Sequence, residues 1–100
     1  MISLIVTADD TLYARLTSRC SEDDAFWRAS DVLEGRAIAL AQPIDRVIVD
    51  MSLHAADTLV ETLRSRASTG HIPVYVVGSR RRLPFALRRL CTDILETDAL

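Results

Sequence analysis

Short apolar runs alternate with longer stretches in which apolar residues recur at helical spacing along the 100 residues of the chain. The apolar runs cover residues 2–6, 25–29, 44–49, 72–77 and 94–95. The strongest of them are continuously apolar rather than alternating, which indicates strands that are buried on both faces. Between the runs, the spacing predicts four helices. The pattern therefore predicts one α/β domain over residues 1–100, built from βαβ units around a parallel sheet.

The same spacing selects the side chains that should face the core. The second predicted helix should bury Val32, Leu33, Ala37 and Leu40. The fourth, which Pro84 should open, should bury Phe85, Leu87, Leu90 and Cys91.

Polar side chains follow the strands of the predicted sheet. With right-handed crossovers, five such strands commonly take the order 2-1-3-4-5, and ligands bind beyond the carboxyl ends of strands 1 and 3. Asp9 and Asp10 follow the first strand, and Asp50 ends the third. Taken alone, Asp9 is well explained as the cap of a helix and Asp50 as the cap of a loop, without any role in binding. Their joint placement instead favours a magnesium site, and a carboxylate there could accept a phosphoryl group.

Three segments resemble the first, third and fourth strands of the receiver domains of bacterial response regulators. They read Leu-Ile-Val-Thr-Ala-Asp-Asp, Arg-Val-Ile-Val-Asp-Met-Ser-Leu and Ile-Pro-Val-Tyr-Val-Val-Gly-Ser. The resemblance implies a flavodoxin-like three-layer sandwich. It also implies that Asp50 is the phosphoacceptor, that Asp9 and Asp10 bind magnesium together with Asp50, and that Ser52 offers its carbonyl to the metal. A register with Ala8-Asp9 at the acidic positions stays open.

Several positions depart from the receiver pattern. The alignment puts Gly78 where the family has Ser or Thr, with Ser79 one position late. Thr97 and Asp98 fall where the family has Lys and Pro, and the chain contains no lysine. Ile94 replaces the aromatic residue of strand 5, and His54 replaces a proline. The missing ammonium group would have balanced the charge of carboxylates and phosphoryl oxygens.

Two functions follow from this pattern. The favoured one is a stand-alone pseudo-receiver, a signalling module that works through constitutive protein–protein contacts and is not an enzyme. The alternative is an active response regulator whose Asp50 takes phosphate from a histidine kinase with magnesium. A nucleotide-binding or catalytic domain is disfavoured, because neither glycine-rich phosphate motif is present and no catalytic triad is evident.

Charge is unevenly distributed on a chain whose net charge is -2. Five arginines lie close together before and within the fourth helix, namely Arg80, Arg81, Arg82, Arg88 and Arg89. Such a cluster can bind an acidic protein surface. The absence of interleaved aromatic residues and of a helix-turn-helix pattern disfavours nucleic acid. The expected partner is therefore a protein, either a histidine kinase or a scaffold.

The sequence leaves no room for a fifth helix after the last strand. In a 2-1-3-4-5 sheet, helices 1 and 5 share one face, so part of that face should lie bare over strands 1, 3 and 4. Exposed apolar patches usually mark interfaces, which predicts a homodimer or a covering partner. The alternative is that the tail or a shifted fourth helix fills the space.

The expected location is the cytoplasm. No apolar run approaches the ~20 residues that a membrane span needs, and the start of the chain lacks the basic segment of a signal peptide. Cys20 and Cys91 are expected to be buried, reduced thiols. Together with His54 and His71 they do not form a zinc pattern.

Overall fold

Five parallel strands alternate with four α-helices in the computed structural model, which describes residues 1–97. The strands are β1 (Ile2–Val6), β2 (Ala25–Ala29), β3 (Arg46–Asp50), β4 (Val74–Gly78) and β5 (Asp93–Glu96). The helices are α1 (Asp10–Ser18), α2 (Val32–Ala41), α3 (Ala56–Ser65) and α4 (Phe85–Leu90), with a 3-10 turn at Arg80–Arg82. The sheet order is β2-β1-β3-β4-β5. The predicted architecture and strand order are confirmed.

Two strands start later than the apolar runs that predict them. β3 begins at Arg46 and β4 at Val74, although the runs begin at Ile44 and Ile72. Both isoleucines are buried, with 8% and 6% of their surface exposed. They belong to the core without belonging to the strands, and an apolar run by itself does not separate these two cases.

The larger core lies between the sheet and α2, α3 and α4. In the register of the sheet, Leu4 lies beside Val47, which lies beside Val74. Because side chains alternate between faces along a strand, Val6, Val49 and Val76 point the same way, and all these residues are fully buried. Leu59, Val60 and Leu63 of α3 and Leu87 of α4 close the cluster.

A smaller core lies on the opposite face, beneath α1. Leu12 and Leu16 pack there with Ile5, Ile48 and Val77. These last three residues, on strands 1, 3 and 4, are 1%, 6% and 3% exposed. The expected bare surface is therefore not found at these three positions. Half-buried apolar side chains on this face include Tyr75 and Leu95.

The helix faces differ from the expectation at several positions. In α2 the buried residues are Gly35 and Ala39, whereas Leu33 and Leu40 are 76% and 40% exposed and Ala37 is exposed too. In α4, Leu87 is buried but Phe85 is 73% exposed. These two helices carry apolar residues on more than one side, so spacing alone selects the wrong face. The prediction that Leu33, Ala37, Leu40 and Phe85 are buried is wrong.

The remaining expectations concern membranes and cysteines. Within residues 1–97, no helix is both long enough and apolar enough to cross a membrane. Cys20 and Cys91 are free thiols, as expected, but both are half-buried rather than fully buried. Cys20 accepts a hydrogen bond from the Arg46 guanidinium at 3.3 Å.

Candidate functional site

The carboxylate of Asp50, at the carboxyl end of β3, is buried, and both of its oxygens accept hydrogen bonds. Only 7% of the residue is exposed. Its Oδ2 accepts a hydrogen bond from the Thr7 hydroxyl at 2.7 Å. Its Oδ1 accepts bonds from the Ser52 amide at 2.9 Å and from the Ser52 hydroxyl at 2.7 Å. Such bonds offset the cost of removing a carboxylate from water, and here all three donors are neutral.

Thr7 links β1 to β3, a role that the sequence pattern did not single out. It is the first residue after β1 and is fully buried. Its amide donates to the carbonyl of Ala29 at 2.9 Å, and its hydroxyl oxygen accepts from the Asp9 amide at 3.0 Å while the hydroxyl donates to Asp50. Its position in the sequence could have indicated this role, because the first side chain after a strand lies nearer the sheet than the side chains that follow it.

The two carboxylates predicted to bind metal after β1 have other partners. Asp9 is the N-cap of α1, and its Oδ1 accepts from the amides of Thr11 and Leu12 at 2.9 and 3.2 Å. Asp10 is paired with Arg28 at 2.6 Å. The Arg28 guanidinium in turn lies over the Tyr13 ring, 4.7 Å from its centroid. Both carboxylates thus stabilise the start of α1.

An open cleft of about 820 Å³ lies at this edge of the sheet. Asp9, Asp50 and Ser52 line it together, whereas Asp10 is not among its lining residues. Gly78, Ser79 and Thr97 line it too. Thr97, which the sequence alignment placed at the lysine position of receiver domains, therefore lines the cleft. Asp98, aligned with the family's proline, lies outside the described residues.

The carboxylates that line the cleft are already engaged by hydrogen-bond donors of the protein. Asp57 is a third carboxylate in the lining, and its Oδ1 accepts from the amide of Thr58. Over residues 1–97, no three His, Cys, Asp or Glu side chains are grouped so that they could hold a metal ion. Magnesium prefers oxygen ligands in near-octahedral geometry. Both oxygens of Asp50 already accept hydrogen bonds and the Asp9 carboxylate caps α1, so magnesium would have to compete with these donors.

The five clustered arginines divide into two groups. Arg80 lies 3.9 Å from Asp93 and 3.8 Å from Glu96. Arg88 donates to the carbonyls of Leu83 and Arg80. Arg88 therefore ties the β4–α4 connection to α4, whereas the ion pairs of the half-exposed Arg80 side chain contribute little.

The other three arginines face solvent. Arg81, Arg82 and Arg89 are exposed, and their guanidinium groups have no hydrogen bond or ion pair within the described part of the chain. Arg82 also lines the cleft, as does Arg15 of α1.

Sequence comparison identifies no relative of this chain. No protein-family model matches it, and no curated protein matches it either.

Solved structures match it closely in shape. The chemotaxis response regulator CheY4 of Vibrio cholerae aligns over 96% of this chain and 85% of its own, at 16% identity and a TM-score of 0.78. The receiver domain of an HD domain-containing protein from Pseudomonas fluorescens Pf-5 aligns over 97% and 75%, at 15% identity and a TM-score of 0.80. The Mn²⁺-bound form of response regulator Rcp1 aligns over 95% and 79%, at 16% identity and a TM-score of 0.79.

These matches establish the fold. The chain has the α/β fold of response-regulator receiver domains, and the resemblance inferred from its three strand motifs is confirmed at that level. At such identities a shared fold does not by itself carry a function. The function has to be argued from the site.

Proposed function

We propose that this chain is a receiver-like signalling module that acts through constitutive protein–protein contacts and does not depend on phosphorylation of Asp50. The observation that carries the proposal is the pairing of the buried Asp50 carboxylate with neutral donors, the hydroxyl of Thr7 and the amide and hydroxyl of Ser52. The proposed role is a fixed structural one, in which Asp50 joins β3 to the loop after β1.

Charge balance supports this proposal. Phosphoryl transfer to a carboxylate relies on a metal ion and other cations to neutralise the developing charge. Here the side chain that meets Asp50 from the end of β1 is a hydroxyl, and the cleft holds Thr97 at the expected lysine position. A phosphorylated Asp50 would lack the ammonium group that stabilises the phosphoryl group in this family, and the remaining cations in the cleft lining are Arg15 and Arg82.

The arginine surface is the proposed contact for a protein partner, which we expect to be a histidine kinase or a scaffold. Three exposed side chains are free to pair with acidic groups, namely Arg81, Arg82 and Arg89. Arg80 and Arg88 complete the arginine surface. Contacts of this kind favour fast and selective association more than high affinity. We further propose that the chain is not an enzyme, that it works in the cytoplasm, where its two thiols would stay reduced, and that it forms a homodimer.

The second candidate function is an active phosphoacceptor, with phosphate on Asp50. Two observations favour it. Asp9, Asp50 and Ser52 share one cleft, and one structure of similar fold is a Mn²⁺-bound form. Magnesium would have to displace the donors now bound to Asp50, and Asp10 would have to leave Arg28 to join it.

Intact-mass and thermal-shift measurements with magnesium and acetyl phosphate or beryllofluoride separate the two functions. Wild type should gain no phosphoryl mass and should show no magnesium-dependent stabilisation. Asp50→Asn should give the same two negative results. Asp57→Asn is the matched control, because Asp57 is an exposed carboxylate in the same cleft. Labelling that needs magnesium, persists in Asp57→Asn and disappears in Asp50→Asn would establish the phosphoacceptor instead.

A further inference from the structure

Helix α2 is apolar on two opposite sides. Its inner side packs on the sheet through Gly35 and Ala39. Its outer side presents Leu33, Ala37 and Leu40 to solvent, and the two leucines are 76% and 40% exposed. These three residues, at i, i+4 and i+7, lie on one face of the helix and are called the outer stripe below. A surface helix normally turns polar residues to water, so the outer stripe is a candidate contact surface.

An apolar groove continues the outer stripe toward α3. It has a volume of about 420 Å³, and Leu33 contributes to its wall. Its lining from α2, from the loop after β3 and from α3 includes Val32, Leu53, Ala55, Leu59 and Thr62. The stripe and the groove together make an apolar surface wider than a single helix face.

Opposite charges flank the outer stripe. From Leu33, Glu34 lies about 100° round the helix in one direction and Arg36 about 60° in the other, at 3.6 residues per turn. Both residues are exposed. Neither side chain has a hydrogen bond or an ion pair to any residue in the range 1–97. The outer stripe therefore has one unpaired acidic edge and one unpaired basic edge, and Arg36 on the basic edge also lines the groove.

We propose that the outer stripe is the contact between two copies of this chain, with their α2 helices parallel about a twofold axis. With the twofold axis running along the two helices, each leucine of the stripe meets its own counterpart, and the interface is isologous. Glu34 of each copy then faces Arg36 of the other, at both edges. An antiparallel pair would put both Glu34 side chains on one edge and both Arg36 side chains on the other, so that no opposite charges face each other. Charge complementarity therefore favours a second copy of this chain as the partner that binds the outer stripe.

This inference refines the proposed homodimer and does not depend on the state of Asp50. It also moves the contact away from the face beneath α1, where Ile5, Ile48 and Val77 are already covered. A contact formed by one short helix and a shallow groove is small compared with stable interfaces. Association is therefore expected to be weak and to need a wide range of concentrations to detect.

Sedimentation velocity of the full chain, from micromolar to submillimolar concentration, tests the surface. Wild type should shift from monomer to dimer, and Leu33→Glu should weaken the dimer at least tenfold. Phe85→Glu is the matched control, since Phe85 is an equally exposed apolar residue on α4, and it should behave as wild type. A wild type that stays monomeric throughout, or a Leu33→Glu variant that dimerises normally, overturns the proposal.

Charge reversal tests the parallel arrangement. Arg36→Glu and Glu34→Arg should each weaken self-association, because each variant brings like charges together at both edges. An equimolar mixture of the two variants should restore a dimer of wild-type affinity. Failure of the mixture to associate overturns the arrangement. Asp50→Asn should dimerise as wild type does, so this outcome is independent of whether Asp50 accepts phosphate.

Discussion

At the end of β3, the Asp50 carboxylate is held by a threonine and a serine rather than by charged groups. Hydrogen bonds to a carboxylate commonly contribute ~1.5–3 kcal/mol, and a buried oxygen left without its donor is costly. Thr7 satisfies one oxygen of Asp50, and a carboxylate in its place would lie directly beside the Asp50 carboxylate. This residue separates the two candidate functions.

Thr7→Asp should create magnesium binding that the wild type lacks. Two carboxylates side by side repel each other, so the variant should be less stable than wild type without metal. Magnesium should then raise its melting temperature, and ligand at 100 times its Kd stabilises a protein by about 2.7 kcal/mol. Differential scanning fluorimetry with and without magnesium measures the change.

Thr11→Asp is the control for that prediction. Thr11 is exposed at the edge of the same cleft, so its carboxylate should give no magnesium response. A wild type that magnesium already stabilises, or a Thr7→Asp variant that is indifferent to magnesium, would contradict the assignment of Thr7.

The Cys91 thiol should react slowly in the folded protein. Burial raises its pKa above the ordinary value, and the nearby Asp93 adds to the rise. The raised pKa lowers the thiolate fraction at neutral pH, and the thiolate is the reactive form. In a Cys20→Ser background, iodoacetamide should therefore modify folded Cys91 several-fold more slowly than urea-unfolded Cys91 at pH 8.

The sign of the pH dependence follows from the same shift. Folding favours the neutral thiol, so this contribution to stability is present at low pH and is lost as the pH rises through the raised pKa. The alkylation rate of the folded protein should climb over that same range. Equal rates for folded and unfolded protein at pH 8 would be inconsistent with the shift.

At the scale of elements, α2 shows how close packing decides which side of a helix faces inward. A Cβ atom built on Gly35 would lie 2.9 Å from Cγ2 and 3.1 Å from Cγ1 of Val6, which is fully buried. Only a residue without a side chain lets the helix lie this close to β1. The leucines of α2 are then left on the outside.

Gly35→Ala should destabilise the protein by about 1 kcal/mol. Overpacking a core costs ~1–3 kcal/mol, and the gain in helix propensity over glycine returns up to ~1 kcal/mol. Urea unfolding followed by circular dichroism measures the difference. Ala37→Gly, at an exposed position of the same helix, gives the propensity contribution separately. A Gly35→Ala variant more stable than wild type would show that α2 can move away from the sheet.

The spacing of apolar residues predicted the existence and order of these elements but not their faces. Leu33 and Phe85 were expected in the core, and both are mostly exposed. Where a helix is apolar on several sides, periodicity carries little information about orientation. The position of Gly35 was the stronger signal, because glycine inside a helix often marks a close approach.

At the scale of the whole molecule, Arg64 of α3 joins three other parts of the chain. Its Nε donates to the carbonyl of Leu90 at 2.5 Å, at the end of α4. Its Nη1 donates to the carbonyls of Gly70 and Ile72 at 3.0 and 2.8 Å, before β4. Its Nη2 donates to the hydroxyl of Thr92 at 3.1 Å, before β5. One side chain therefore ties the amino-terminal ends of two strands to two helices.

Arg64→Met should lower the free energy of unfolding by about 2–3 kcal/mol. The substitution keeps an apolar stem but removes every donor, and acceptors left unsatisfied cost about 1–3 kcal/mol each where they cannot reach water. Arg66→Met is the control, because Arg66 is exposed at the end of α3, and it should change stability by less than about 0.5 kcal/mol. Equal urea midpoints for the two variants would contradict the role of Arg64.

The sequence by itself determined the α/β class, the five strands and the position of Asp50 at the carboxyl end of the third strand, and the order common to such sheets supplied the strand order. The class and the strands follow from hydrophobic periodicity and from the general rules for βαβ units, which are local or general properties of chains. Only the tertiary structure decided that Thr7 meets Asp50, that Asp9 and Asp10 serve α1, and that α2 turns Leu33 outward. Each of these depends on which partners lie within a few ångströms after packing, and residues 43 positions apart leave no periodic trace of their contact.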